Sequence, residues 1–292
     1  MPASDSAERP RNDGLDLDLD WVNSVHLDDA AVTRAAQGYA GWRNLTKSEE
    51  GDWLCRAVAC MDLTTLSGDD TAARVRALCA TARNPVSDTV LSALGQPGLT
   101  VAAVCVYHAL IAPARDALAG SGLPVAAVAA GFPAGLSSMR ARVCEIEDSV
   151  AAGAAEIDVV IARYKALEGD WPALHDEIRA FRTACGDAHL KVILSTGELG
   201  DLTNVGRAAL VAMMAGADFI KTSTGKEKVN ATLPVGLVML RMIADYEART
   251  GWRVGMKPAG GISTADAALD WIEMVGAELG EAWLTPALFR FG

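Results

Sequence analysis

Metal-ligand spacing is missing from this sequence. Its four histidines (His26, His108, His175 and His189) form neither HxxxH nor HExxH, and its six cysteines (Cys55, Cys60, Cys79, Cys105, Cys144 and Cys185) contain no CxxC pair. The pattern speaks against a zinc site and a disulfide framework; reduced thiols in a cytoplasmic protein are expected. No apolar run reaches the roughly 18 residues of a membrane span. The opening MPASDSAERPRNDG lacks the apolar core of a secretory signal, so no leader is expected. Basic residues are also outnumbered, 26 Lys and Arg against 37 Asp and Glu, for a formal charge of −11. That balance argues against a nucleic-acid backbone or an anionic membrane as partner. A small phosphorylated metabolite remains open, because it needs only a local pocket of donors.

What the chain does have is apolar material, 51% of 292 residues, enough for a sizeable core. Residues 1–20 read as a flexible acidic tail ending in LDLDLDW, followed by helical patterns near 28–43 and 47–60. Short apolar runs then alternate with amphipathic helices. The strand candidates are 61–64, 101–106, 124–130, 156–161, 191–195, 218–222, 253–257 and 288–291. They lack polar alternation, as parallel strands covered on both faces do. Helix starts are marked by Ser67-x-x-Asp70, by Asp170-Trp171-Pro172, by Thr232 with Pro234, and by Ser263 or Thr264. The pattern predicts one (β/α)8 TIM barrel over residues 21–292 with extra N-terminal helices. A doubly wound sheet is the alternative, but no GxGxxG follows the first strand.

One internal echo points to a site. AGAAEIDVV at 152–160 aligns with AGADFIKTS at 215–223, which puts Asp158 and Lys221 at equivalent places in their strands. The next strand ends in Lys257, within GMKPAGG. In a closed barrel, strand ends converge on the C-terminal mouth, where active sites of this fold are built. Two lysines and an aspartate there suit imine chemistry. Bringing a lysine from its ordinary pKa of about 10.4 to neutrality costs roughly 4.6 kcal/mol. A second ammonium about 6 Å away, at an effective dielectric of about 20, supplies roughly 2.8 kcal/mol of it. Burial would supply the rest. Lys221 is therefore the candidate nucleophile, Lys257 its cationic neighbour and Asp158 a proton shuttle. Gly225, Gly260 and Gly261, just past the sixth and seventh strands, can present bare N–H groups to a phosphate, or can be plain turn residues. A Walker loop is excluded, because Glu227 stands where Ser or Thr is needed and Ile220 where the first Gly is needed.

The segments MDLTTL, AVCVY, AAGFPAG, EIDVVI, TGELG, DFIKTSTGK and KPAGGI, in this order and spacing, resemble the deoxyribose-phosphate aldolase family. The resemblance runs from about Asp16 to Gly292. It implies a class I aldolase without metal or cofactor, interconverting 2-deoxy-D-ribose 5-phosphate with acetaldehyde and D-glyceraldehyde 3-phosphate in deoxyribonucleoside catabolism. It assigns the Schiff base to Lys221, its tuning to Lys257, and the proton relay to Asp158 with Lys257. It also places Asp62 near a sugar hydroxyl, Cys105 close by, and Thr224, Gly225, Gly260 and Gly261 around the substrate. A homodimer is compatible with the resemblance. Three places depart from the family: His108 follows CVY where proline is common, Ser263 replaces an arginine, and the sequence ends at Gly292 before a Ser-rich segment. Fewer phosphate donors are the expected consequence. Two other readings share the lysines: another Schiff-base barrel enzyme of transaldolase type, and a non-catalytic phosphosugar-binding barrel.

Overall fold

The computed structural model describes residues 11–41 and 45–292. Its helices are α1 (Leu19–Ser24), α2 (Asp29–Gln37), α3 (Lys47–Ala59), α4 (Ala72–Arg83), α5 (Asp88–Ala93), α6 (Ile111–Ala117), α7 (Met139–Ala151), α8 (Arg163–Leu167), α9 (Trp171–Cys185), α10 (Leu202–Met214), α11 (Leu233–Thr250) and α12 (Ala265–Leu279). Its strands are β1 (Asp62–Thr64), β2 (Ala103–Tyr107), β3 (Val125–Ala129), β4 (Glu156–Val160), β5 (His189–Ile193), β6 (Phe219–Lys221) and β7 (Gly255–Lys257).

The seven strands pair in sequence order, all parallel. Their residues are mostly apolar and buried, with inner side chains filling the barrel and outer ones meeting the helices. The expected eighth strand is present only as single bridges, Phe289 to Met256 on one side and Phe291 to Met61 on the other. The bonds Met256 N to Leu288 O (2.9 Å), Arg290 N to Met256 O (3.0 Å) and Asp62 N to Phe291 O (2.7 Å) nevertheless close the ring. This is the α/β barrel the strand pattern predicts.

Capping explains the helix boundaries. Thr46 and Glu49 form a reciprocal capping box on α3, Asp170 caps α9 ahead of Pro172, and Thr264 caps α12. Helix α4 starts from Thr71 instead of from the Ser67–Asp70 pair, which closes its own turn through Ser67 N to Asp70 Oδ2 (2.8 Å). The expected helix over 28–43 is observed as α2, and the end of that expectation, at 42–43, lies outside the described residues.

Helices α1 to α3 form an added layer over α10, α11 and α12. Helix α10 is consequently buried nearly all round, which is why it is apolar on every face. The expected flexible tail over residues 1–20 differs in its second half. Residues 1–10 lie outside the described residues, but Asn12 is buried and donates to Met213 O (2.8 Å) and Ala217 O (2.9 Å). Leu15 and Leu17 pack on the core, and Trp21 stacks on Tyr246 at 5.9 Å. The alternating LDLDLDW is a docked strap with Leu15 and Leu17 against the core, running into α1, where Leu19 is exposed and Trp21 buried.

Two local features hold the sheet in shape. Gly255 lies beside Phe219 in the β6–β7 register, and a Cβ at 255 would stand 2.3 Å from the Phe219 ring. Arg142 on α7 bonds Ala130 O (3.0 Å) and Val160 O (2.8 Å) and pairs with both oxygens of Glu177 on α9 (2.9 and 3.0 Å). This fully satisfied buried pair ties the ends of β3 and β4 to the helices behind them.

Candidate active site

Asp158 lies at the centre of the barrel. Its Oδ2 accepts from Lys221 Nζ at 2.8 Å and from Lys257 Nζ at 2.8 Å, so the two lysine nitrogens are no further apart than twice that distance. The separation expected from the sequence is met. The strand register refines the echo between β4 and β6: Val160, Ile193, Lys221 and Lys257 share one level, while Asp158 lies level with Lys191, one pleat lower. Strands of a closed barrel are staggered, so equal positions in two strands are not equal heights. The long lysine stems reach across the offset.

Three charged residues not anticipated from the sequence complete the cluster. Lys191 on β5 donates to Asp158 Oδ1 (3.1 Å), lies 3.4 Å from Asp62 Oδ2, and also bonds Glu156. Arg290, on the ring-closing segment 288–291, bonds Asp62 Oδ1 (2.5 Å) and Glu156 Oε1 (2.8 Å). Lys257 adds Asp62 Oδ2 at 2.5 Å. Asp62 thus joins the expected trio, held by Lys257 and Arg290. Glu156 and Asp158 are two apart in one strand and both belong to the cluster, a signal present in EIDVVI. None of these residues is more than 4% exposed, so their charges are compensated by one another and not by water.

The electrostatics separate the three lysines. Burial pushes Lys221 down, the Lys257 ammonium pushes it further, and the Asp158 carboxylate only partly opposes them, so Lys221 titrates below its ordinary value. Burial pushes Lys257 and Lys191 down too, but Asp158 and Asp62 outweigh it, and both stay above the ordinary range. Burial alone would raise the carboxyls of Asp62 and Asp158. Arg290, Lys191 and Lys257 hold the first well down, and Lys191, Lys221 and Lys257 the second. Cys105 is fully buried on β2, and burial, with Asp158 nearby, pushes its thiol up, so it remains protonated and packs against Ala126 and Val128.

The glycine loops lie at the same end of the strands. Gly225, Gly260 and Gly261 all have positive φ (82°, 77° and 84°). One of the expected anion donors is already occupied, since Gly260 N–H donates to Gly292 O (3.1 Å); Thr224, expected around the substrate, donates its N–H to both Glu227 carboxylate oxygens (3.1 and 3.0 Å). Their acceptors are remote or sit across a turn, out of reach of motif reading. The hydroxyls of Ser223 and Thr196, buried just past β6 and β5, have no protein partner and are free to bond a ligand. Among the described residues, no group of His, Cys, Asp and Glu side chains could hold a metal ion.

Comparison with known proteins gives the family. Residues 56–281 match the model of the DeoC/LacD family aldolases. This chain belongs to that family. A deoxyribose-phosphate aldolase of Mus musculus is 55% identical over 283 residues, 96% of this chain and 89% of the relative. One of Homo sapiens is 53% identical over 285 residues, 96% and 90% of the two chains. A tetrameric deoxyribose phosphate aldolase from Aeropyrum pernix superposes with a TM-score of 0.59 at 20% identity, over 90% of this chain and 94% of that one, and shares the fold. Membership of the deoxyribose-phosphate aldolase family makes the chain a carbon–carbon lyase. Among the described residues no helix is long and apolar enough to cross a membrane.

Proposed function

We propose that the chain is a class I aldolase that cleaves 2-deoxy-D-ribose 5-phosphate reversibly to acetaldehyde and D-glyceraldehyde 3-phosphate, in cytoplasmic deoxyribonucleoside catabolism. The observation that carries this reading is the inequality among the three buried lysines. Lys221 alone is held below its ordinary range, touches a single carboxylate, and keeps a trace of exposure (3%) where Lys257 and Lys191 have none. The relatives, similar over almost the whole chain, support the substrate.

In this reading the neutral Lys221 amine attacks the C1 aldehyde of the open-chain sugar. The carbinolamine loses water to form an iminium. Asp158, with Lys257 as its proton partner, takes the proton of the C3 hydroxyl. The C2–C3 bond then breaks, its electron pair moving toward the iminium to give an enamine while glyceraldehyde 3-phosphate departs. The relay returns a proton to the enamine carbon, and water releases acetaldehyde from Lys221. Asp62, fixed from two sides, is placed to hold a sugar hydroxyl. The amides of Gly225 and Gly261 are the open donors for phosphate, while the Gly260 and Thr224 amides would first have to give up Gly292 O and Glu227.

Borohydride reduction with acetaldehyde tests the reading, since it should leave an ethyl group on the peptide containing Lys221. Lys221→Ala should lose both trapping and turnover while keeping its circular dichroism. Trapping with preference for another aldehyde would favour a different Schiff-base aldolase. Saturable phosphosugar binding without trapping would favour a binding protein and refute the proposal.

A further inference from the structure

The buried cluster contains more charge than the proposed chemistry uses. Its carboxylates are Asp62, Glu156 and Asp158; its cations are Lys191, Lys221, Lys257 and Arg290. The other groups facing it are few. Strand β2 contributes the neutral Cys105 thiol, β3 contributes no titratable side chain, and β5 adds His189, level with Glu156 in the strand register. Three carboxylates compensate three cations, and a fourth would leave a net charge sealed in the barrel, where charge without a partner is costly.

Geometry decides which cation yields. Arg290 cannot lose its proton under ordinary conditions. Lys191 lies against Glu156, Asp158 and Asp62, and Lys257 against Asp62 and Asp158. Lys221 has only one oxygen, Oδ2 of Asp158, and shares it with Lys257.

We propose that Glu156, Lys191 and Arg290 are positioning residues that, without touching substrate, fix the charge count of the cluster so that Lys221 is its one neutral amine. The inference rests on the reading of Lys221 as the imine-forming residue, and it extends the tuning of that residue beyond its neighbour Lys257. It also explains why an arginine is carried by the segment that closes the ring. A guanidinium supplies a positive charge that cannot be discharged in place of the lysine.

The test is a set of pH profiles for borohydride trapping of acetaldehyde on Lys221. Arg290→Gln removes a cation and allows Lys221 to keep its proton. Its midpoint should rise by on the order of one pH unit, which lowers the neutral fraction about tenfold at pH 7. The kcat should fall with it, and KM for the phosphosugar should change little. Glu156→Gln removes a carboxylate and should move the midpoint in the opposite direction by a similar amount. The double variant restores the count and should return the midpoint to that of the unsubstituted chain. A merely structural role would make the double variant the most impaired of the three.

Should Arg290→Gln not fold, Lys191→Met carries the same expectation from a different strand. Shifts of the same sign in the two glutamine variants, or unmoved midpoints with intact trapping, would overturn the charge count alone. Absence of trapping on Lys221 in the unsubstituted chain would instead overturn the reading beneath it.

Discussion

Replacing Lys257 by methionine keeps the unbranched stem as far as Cε and removes the ammonium group. In the folded chain its Nζ and that of Lys221 are both 2.8 Å from Asp158 Oδ2. At a separation no greater than twice that distance, and an effective dielectric of about 20, their repulsion is worth about 3 kcal/mol. Its loss should raise the pKa of Lys221 by about 2 units. The sign follows from burial and Lys257 both favouring the neutral amine while Asp158 favours the charged one. The fold should survive, because no carboxylate is stranded: Asp62 keeps Arg290 at 2.5 Å, and Asp158 keeps Lys191 at 3.1 Å. The assay is the pH dependence of borohydride-trapped imine in stopped reactions with acetaldehyde, next to a thermal unfolding curve. The alkaline displacement should appear in trapping, and turnover should stay low even at the new optimum because the relay has lost its cation. A trapping midpoint that does not move, in a variant that unfolds normally, would show that the two ammonium groups do not communicate and would refute the electrostatic account.

Gly255→Ala drives a methyl into the Phe219 ring, 2.3 Å from its nearest atom, and should cost about 1–3 kcal/mol in a denaturant titration. An unchanged midpoint would mean that β6 and β7 yield more easily than their burial suggests. The ion cluster also sets the pH range of stability. Asp62 and Asp158 have lowered folded-state pKa values, so their contribution is complete above about pH 4 and is lost as pH falls through those values. Lys257 and Lys191 have raised ones, so theirs is complete below about pH 10 and is lost as pH rises through them. Lys221, with a lowered value, acts in the adjoining window: stability rises as pH climbs from its folded value to about 10, and that gain is complete before the losses from Lys257 and Lys191 begin. Urea titrations across this span should give a broad plateau bounded on both sides.

The barrel was legible because parallel strands covered on both faces need unbroken apolar residues, and seven such runs became strands. The eighth, Leu288 to Phe291, was equally legible as an apolar run, but it crosses the gap at a slant and bonds each neighbour only briefly. Asp158, Lys221 and Lys257 could be grouped because repeated βα units put charged residues near the same end of successive strands, although Asp158 lies one pleat below the two lysines. Lys191 opens the strand expected from the sequence at 191–195, where a charge resembles a boundary, but is central in the observed β5, and Arg290 sits between two phenylalanines near the end of the sequence. Their partners come from other strands, and no local pattern encodes those pairings. The docking of Asn12 to Leu17 escaped notice for the same reason, since its acceptors lie on α10 and the turn after it.

The place of Arg290 also has a consequence for how the protein is assembled. The segment that carries it joins β7 to β1 and is the last piece of the ring in chain order. Until it seats, the interior holds as many lysines as carboxylates, and an unclosed barrel admits water, so Lys221 stays protonated and inert. A half-made or partly opened molecule would then carry no loose amine able to react with passing aldehydes. On the proposed role of Lys221, closing the ring and arming its amine become one event.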